Sequence, residues 1–166
     1  MTVRPIVLWP DPVLAEVCAP VGAVGDDVRA LAADLLETMY DAPGRGLAAP
    51  QVGVAARVFV MDISWKEGPE DPWVCIDPEI VGRSEDEMAM GEGCLSIPGV
   101  LAEVMRPEAV TLAYTALSGR RETVFLEGML ARCAQHELDH LDGIVTLDRL
   151  SEEARAEAVA AYGAGA

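Results

Sequence analysis

An α+β fold is the arrangement this sequence predicts, and three observations carry that expectation. A clear amphipathic helix spans Asp26–Tyr40, several short β-rich runs follow it, and a second helical segment comes only after them. Helices and strands therefore do not alternate as a parallel sheet with crossover helices requires. The expected architecture is one compact domain over residues 1–166. Short mixed or antiparallel strands would surround a central helix, with another helix in the N-terminal half and a short one at the C-terminus.

The elements can be justified in order. "DDVRALAADLLETMY" repeats Val28, Leu31, Leu35, Leu36 and Met39 at three- and four-residue intervals. Its opening acids suit the positive end of a helix. "DAPGRG" ends it, because proline and two glycines cannot continue a helix cheaply. "ARVFVMDI", Ala56–Ile63, is β-branched and aromatic and reads as a buried strand. "SWKEGPEDP" is a loop, and "WVCIDPEIVG" is a strand whose Pro78 assigns it to a sheet edge. "AEVMRPEAVTLAYTAL" and "ETVFLEG" flank "SGRR" as a β-pair joined by a short turn. The second helix runs from about Glu127 to Leu141, with Leu138 and Leu141 on its core face. "SEEARAEAVAAY", from Ser151, has a serine cap and an acidic first turn, and the closing "GAGA" is expected to fray.

Composition narrows the function classes. The hydrophobic fraction of 51% fits a globular chain, and no charge-free apolar run approaches the ~20 residues that span a bilayer. The N-terminus lacks the apolar core and cleavage site of a signal peptide, so the expected compartment is the cytoplasm. Twelve basic against 28 acidic residues give a net charge of −16, which opposes direct contact with nucleic acid. Of the four cysteines, Cys18 and Cys75 read as packing residues, while Cys94 and Cys133 lie where they could serve chemistry.

That chemistry centres on "QHELDH", which holds both histidines of the chain. Residues four apart share one face of a helix, so His136 and His140 can present two imidazoles to one metal ion. Glu137, one residue on, lies beside such a site and can take a proton from water and hand it to a leaving group. A third ligand must come from elsewhere, and two thiols compete for that role. Cys133 is local, on the same helical face, and is not excluded by spacing. A tetrahedral set is easier to build with one ligand from a separate strand, which favours Cys94 in "EGCLSIPG". "GRGLAAPQVG", Gly44–Gly53, allows close approach to its backbone, and Gln51 could donate to an oxyanion. Taken alone, this segment reads rather as a plain turn into a strand.

"GRGLAAPQ", "EGCLS" and "QHELDH", in this order, resemble the three motifs of the peptide deformylase family. "RPIVLWPDPVL", "RCAQHE" and "LDRLS" extend the likeness over nearly the whole chain. The resemblance implies hydrolysis of N-formyl-methionyl peptides to formate and a free amino terminus. It also implies Cys94, His136 and His140 as ligands of one divalent ion, Fe(II) foremost and Zn(II) or Ni(II) as substitutes. Glu137 matches the general base and acid, and Gln51 with the backbone N–H of Leu95 matches the oxyanion donors. Gly46 matches the edge where the peptide lies extended, and Met90, Met129 and Cys133 match the apolar pocket for the methionine side chain. The implied partners are formylated nascent chains met by a monomer.

Three positions depart from the family pattern. Arg45 stands where Ile or Val is more usual, Leu101 where many members carry Arg, and Pro43 where Glu is frequent. Arg45 is expected to restore, from the other lip, the positive charge missing at Leu101. The acidic C-terminal segment, with Glu152, Glu153 and Glu157 against Arg155, predicts weak ribosome association.

Overall fold

The computed structural model describes residues 2–164. Three helices and seven strands are formed among them. The helices are α1 (Asp26–Asp41), α2 (Gly128–Leu141) and α3 (Glu152–Ala164). The strands are β1 (Gly46–Ala48), β2 (Val58–Met61), β3 (Trp73–Arg83), β4 (Glu87–Cys94), β5 (Ile97–Pro107), β6 (Ala109–Thr115) and β7 (Arg121–Glu127). Strands β1-β2-β3-β6-β7 form one antiparallel sheet, and β4-β5 a separate antiparallel hairpin. This is the expected α+β arrangement, with antiparallel pairing throughout.

The continuous apolar run of β2 follows from burial on both faces. Val58 and Val60 pack with Val28, Leu31, Leu35 and Met39 of α1. Phe59 and Met61 pack on the other side with Ala131, Ala134, Leu138 and Leu141 of α2. The sheet is thus held between two helices, and α2, the helix with both histidines, lies against its centre. Leu138 and Leu141 are core residues as the helical spacing indicates, and Cys18 and Cys75 are buried beside them.

Two assignments need correction. Strand β3 is not an edge strand but the third of five. Pro78 is accommodated because β2 pairs with β3 only as far as Ile76, and the β3-β6 register slips between Ile76 and Glu79. On the β2 side the missing N–H therefore faces no partner strand, and Asp77 takes a positive φ of 47° at the irregularity. The expected single strand over residues 102–117 is two strands. Its first part is β5, paired with β4, and its second is β6, paired with β7, with Pro107 and Glu108 at the break.

The C-terminal helix is docked rather than loose. Val159 and Tyr162 pack with Leu14, Ile97, Val145 and Leu147, and the Tyr162 hydroxyl donates to the Trp9 carbonyl at 2.8 Å. Ser151 caps it, its Oγ accepting from the Ala154 N–H at 3.2 Å. The helix continues through Gly163 to Ala164, and the rest of the "GAGA" segment lies outside the described residues.

Candidate metal centre

Two remote segments meet at one point. The β4-β5 hairpin turns after Cys94, which pairs with Ile97 across Leu95 and Ser96, so the Cys94 thiol stands at the hairpin tip. Helix α2 supplies His136 and His140 on adjacent turns, with ring centroids 5.1 Å apart. One ligand atom from each of Cys94, His136 and His140 lies within 4.8 Å of the others, and Cys94 Sγ is 3.5 Å from His140 Nε2. This spread suits a single ion placed between them. The spacing left Cys133 open as the thiol ligand, but its Sγ turns instead to the Arg45 carbonyl at 3.6 Å.

Electrostatics favour the same reading of the donors. Burial, with His136 and Arg106 nearby, keeps the His140 pKa well below its ordinary value, so its imidazole is neutral with a lone pair to give. For His136 burial acts the same way, yet Glu137, Cys94 and Glu92 outweigh it and draw the proton affinity well up. Negative groups that attract a proton there also attract a cation. Glu137 Oε2 lies 3.9 Å from His136 Nε2, and its other oxygen, Oε1, is buried without a partner. Burial lifts the Glu137 pKa to about 7, against the pull of His136.

Glu92 was not singled out by its sequence, although it opens "EGCLS". Its Oε1 stands 2.9 Å from His136 Nδ1, and Arg106 grips the same carboxylate at 2.6 and 2.9 Å. Arg132 of α2 donates to Glu92 as well, and to the carbonyls of Val104 and Met88. Burial opposes the charge, but Arg106 and His136 prevail and hold Glu92 ionised with a pKa of about 2. Arg106 reaches on to Asp139 at 2.9 Å, which Arg149 pairs from the other side at 2.7 Å. A buried chain of alternating charges thus fixes the face of α2 that carries the histidines. The partial signal in sequence was Glu92, set within the apolar run "MAMGEGCLSI", where a charge needs a partner, though the run does not say which partner.

A cleft of about 540 Å³ opens over these groups. Its lining includes Gly46, Gln51, Leu95, Met129, Cys133 and Glu137, with Pro43 and Arg45 at its lip. Gln51 is buried; its Oε1 accepts from the Ala48 N–H at 3.0 Å, and its Nε2 faces Ser96 Oγ at 3.1 Å and Cys94 Sγ at 3.7 Å. Met90 is placed apart: it lines a neighbouring groove with Met88 and Met129 rather than this cleft. Leu101 is 76% exposed and outside the cleft lining, and Arg45 is held by Glu67 at 2.6 Å. The charge expected of Arg45 across the two lips is thus already paired with Glu67.

Residues 3–156 match the family described as polypeptide deformylase. A peptide deformylase of Rhizobium meliloti (strain 1021) is 50% identical over 92% of this chain and 87% of its own length. The crystal structure of a peptide deformylase from Legionella pneumophila superposes with a TM-score of 0.92 at 38% identity, covering 99% of this chain and 95% of that one. A peptide deformylase from Ehrlichia chaffeensis, solved in complex with actinonin, gives a TM-score of 0.90 at 38% identity over 96% of this chain and 95% of that one.

Proposed function

The chain belongs to the polypeptide deformylase family, and from that premise we propose how its own residues carry out the reaction. It is a metallohydrolase that removes the formyl group from the amino terminus of formyl-methionyl peptides, releasing formate. The observation that carries this reading is the convergence of Cys94, His136 and His140 beside Glu137 on the wall of an open cleft.

Cys94, His136 and His140 would hold one divalent ion, which when bound acts as a Lewis acid and makes water nucleophilic near neutral pH. One thiolate with two imidazoles suits Fe(II), and equally admits Zn(II) or Ni(II). Glu92 orients the His136 ring through Nδ1 and leaves Nε2 facing the site. Glu137, with one oxygen unpartnered, takes the proton of the attacking water and passes it to the departing amine nitrogen. Gln51 Nε2 and the Leu95 N–H are the donors assigned to the oxygen that gains charge as the formyl carbon becomes tetrahedral.

Gly46 lies on β1, the outermost strand of its sheet, whose free side lets an extended peptide add as a further strand. Met129 and Cys133 offer the methionine side chain soft, apolar contacts within the cleft, while Met90 lines the neighbouring groove that Met129 shares. The actinonin complex of the Ehrlichia relative fits a cleft of this kind. Among the described residues no helix is long and apolar enough to cross a membrane. The reading is completed by a cytoplasmic monomer, residues 1–166 working as one domain, that meets nascent chains without binding nucleic acid.

Formate release from formyl-Met-Ala-Ser by protein purified without oxygen tests this reading. Glu137→Ala with matched metal content should lose turnover by about 100-fold or more. Equal rates in the two proteins would overturn the role of Glu137, and no turnover in either would overturn the reading.

A further inference from the structure

The chain contains a single lysine, Lys66, and it lies on the lining of the catalytic cleft. In a protein of net charge −16 that placement bears on what the cleft admits. The charged side chains along the lining fall into two groups. The inner group is buried: Glu92 and Arg132 are bonded to each other, and the ligand His136 and the proton carrier Glu137 stand at the metal site. The remaining two, Arg45 and Lys66, are both cationic and belong to the outer lip.

Their states differ. Arg45 is paired with Glu67 at 2.6 Å. Lys66 enters no ion pair among the described residues, and its Nζ sits 5.8 Å from the centroid of the Trp65 ring. The loop beneath it is anchored. Trp65 Nε1 donates to the Gly44 carbonyl at 2.9 Å and its ring meets Tyr40 edge-on, while the Tyr40 hydroxyl donates to Asp62 at 2.6 Å. A loop tied at Asp62 and Trp65 holds the ammonium at the mouth of the cleft, and Glu67, the adjacent acid, is already taken by Arg45.

We infer that Lys66 is a specificity residue of the deformylation site and recognises a carboxylate on the substrate beyond its first residue. This deepens the deformylase reading and rests on it. With the formyl group at Glu137 and the first side chain among Met129 and Cys133, the lip that carries Lys66 offers the following residues a way out of the cleft. An acidic side chain and the free end of a short peptide both supply such a carboxylate; the two share one chemistry. An exposed ammonium pairing with a carboxylate in water gives a modest preference, about two- to fivefold in kcat/KM, which salt screens.

The test compares formyl-Met-Ala-Asp-amide, formyl-Met-Ala-Asn-amide and formyl-Met-Ala-Asn with a free carboxylate, at low ionic strength and at about 0.5 M salt. The expected result is faster turnover of whichever carboxylate substrate reaches Lys66, with the advantage over the neutral amide fading in salt. The free-acid and aspartyl arms distinguish the two sources. Lys66→Gln should bring the ratio to one and Lys66→Glu should invert it. Arg120→Gln, a matched charge change at a distant exposed turn, should leave the ratio as it was. Equal turnover of all three peptides by the unaltered protein overturns the inference while sustaining deformylation. A ratio that shifts equally in the Arg120 variant also overturns it, since general charge would then be the cause. Failure to turn over any of the three overturns the deformylase reading and this inference with it.

Discussion

Gly46 lies so near Glu137 that a β-carbon on the glycine would stand 2.5 Å from the carboxylate Oε2, and 2.9 Å from Cys133 Sγ. Strand β1 therefore lays bare backbone against two side chains of helix α2. Gly46→Ala should push the carboxylate off its position and reduce kcat/KM by about 100-fold, as small misplacements of catalytic groups do. Formate release, with circular dichroism to check that the fold persists, measures it. An alanine variant with full activity would show that Glu137 can act from elsewhere.

Glu92 offers a second prediction, because two guanidinium groups and one metal-ligand ring depend on it. Glu92→Gln keeps the shape and removes the charge, which leaves Arg106 and Arg132 buried with too little counter-charge. Unfolding in denaturant should show a loss of about 3 kcal/mol. Competition against a chelator should show metal affinity lowered at least about tenfold.

Gln51 has two separable roles. Its Oε1 satisfies the Ala48 N–H and its Nε2 faces the site. Gln51→Glu retains the acceptor and removes the donor, but buries a carboxylate beside Cys94, so kcat should fall by about 100-fold and the fold should also lose stability. Steady-state kinetics beside a melting curve separates the two. A fall in melting temperature without loss of kcat would reassign Gln51 to the fold alone.

Stripping metal with a chelator should abolish turnover and lower the melting temperature, since an ion held by the native state alone stabilises that state. At a hundred times its dissociation constant the ion adds about 2.7 kcal/mol. Restoring Fe(II), Zn(II) or Ni(II) separately, with formate release and melting read together, identifies which ion supports activity and which only the fold.

The two histidines could be read from sequence because helical spacing alone puts His136 and His140 on one face, whatever surrounds the helix. Glu92, Arg106 and Asp139 could not, because their partnership depends on how β4, β5 and α2 pack, and spacing along one element says nothing of that. Pro78 misled for a related reason. A proline excludes pairing only where a neighbour strand continues alongside, and β2 stops at Val58 opposite Ile76. The strand reading over residues 102–117 ran past Pro107, because both sides of it are β-rich while the change of sheet is a tertiary event. Arg45 was legible as a lip residue, but its partner Glu67 lies across a loop whose path the sequence does not set.

Strand β1 has only three residues, and its outer side is the end of the sheet. A peptide that joins it must bring backbone N–H and C=O groups not already spent on its own helix or sheet. A chain whose first residues have folded has none to offer. If substrate pairs with β1 in this way, the open edge would act as a timer: deformylation would be confined to the interval between the emergence of an amino terminus and its burial in structure. Proteins that fold their first residues early would keep their formyl group unless the enzyme reaches them first.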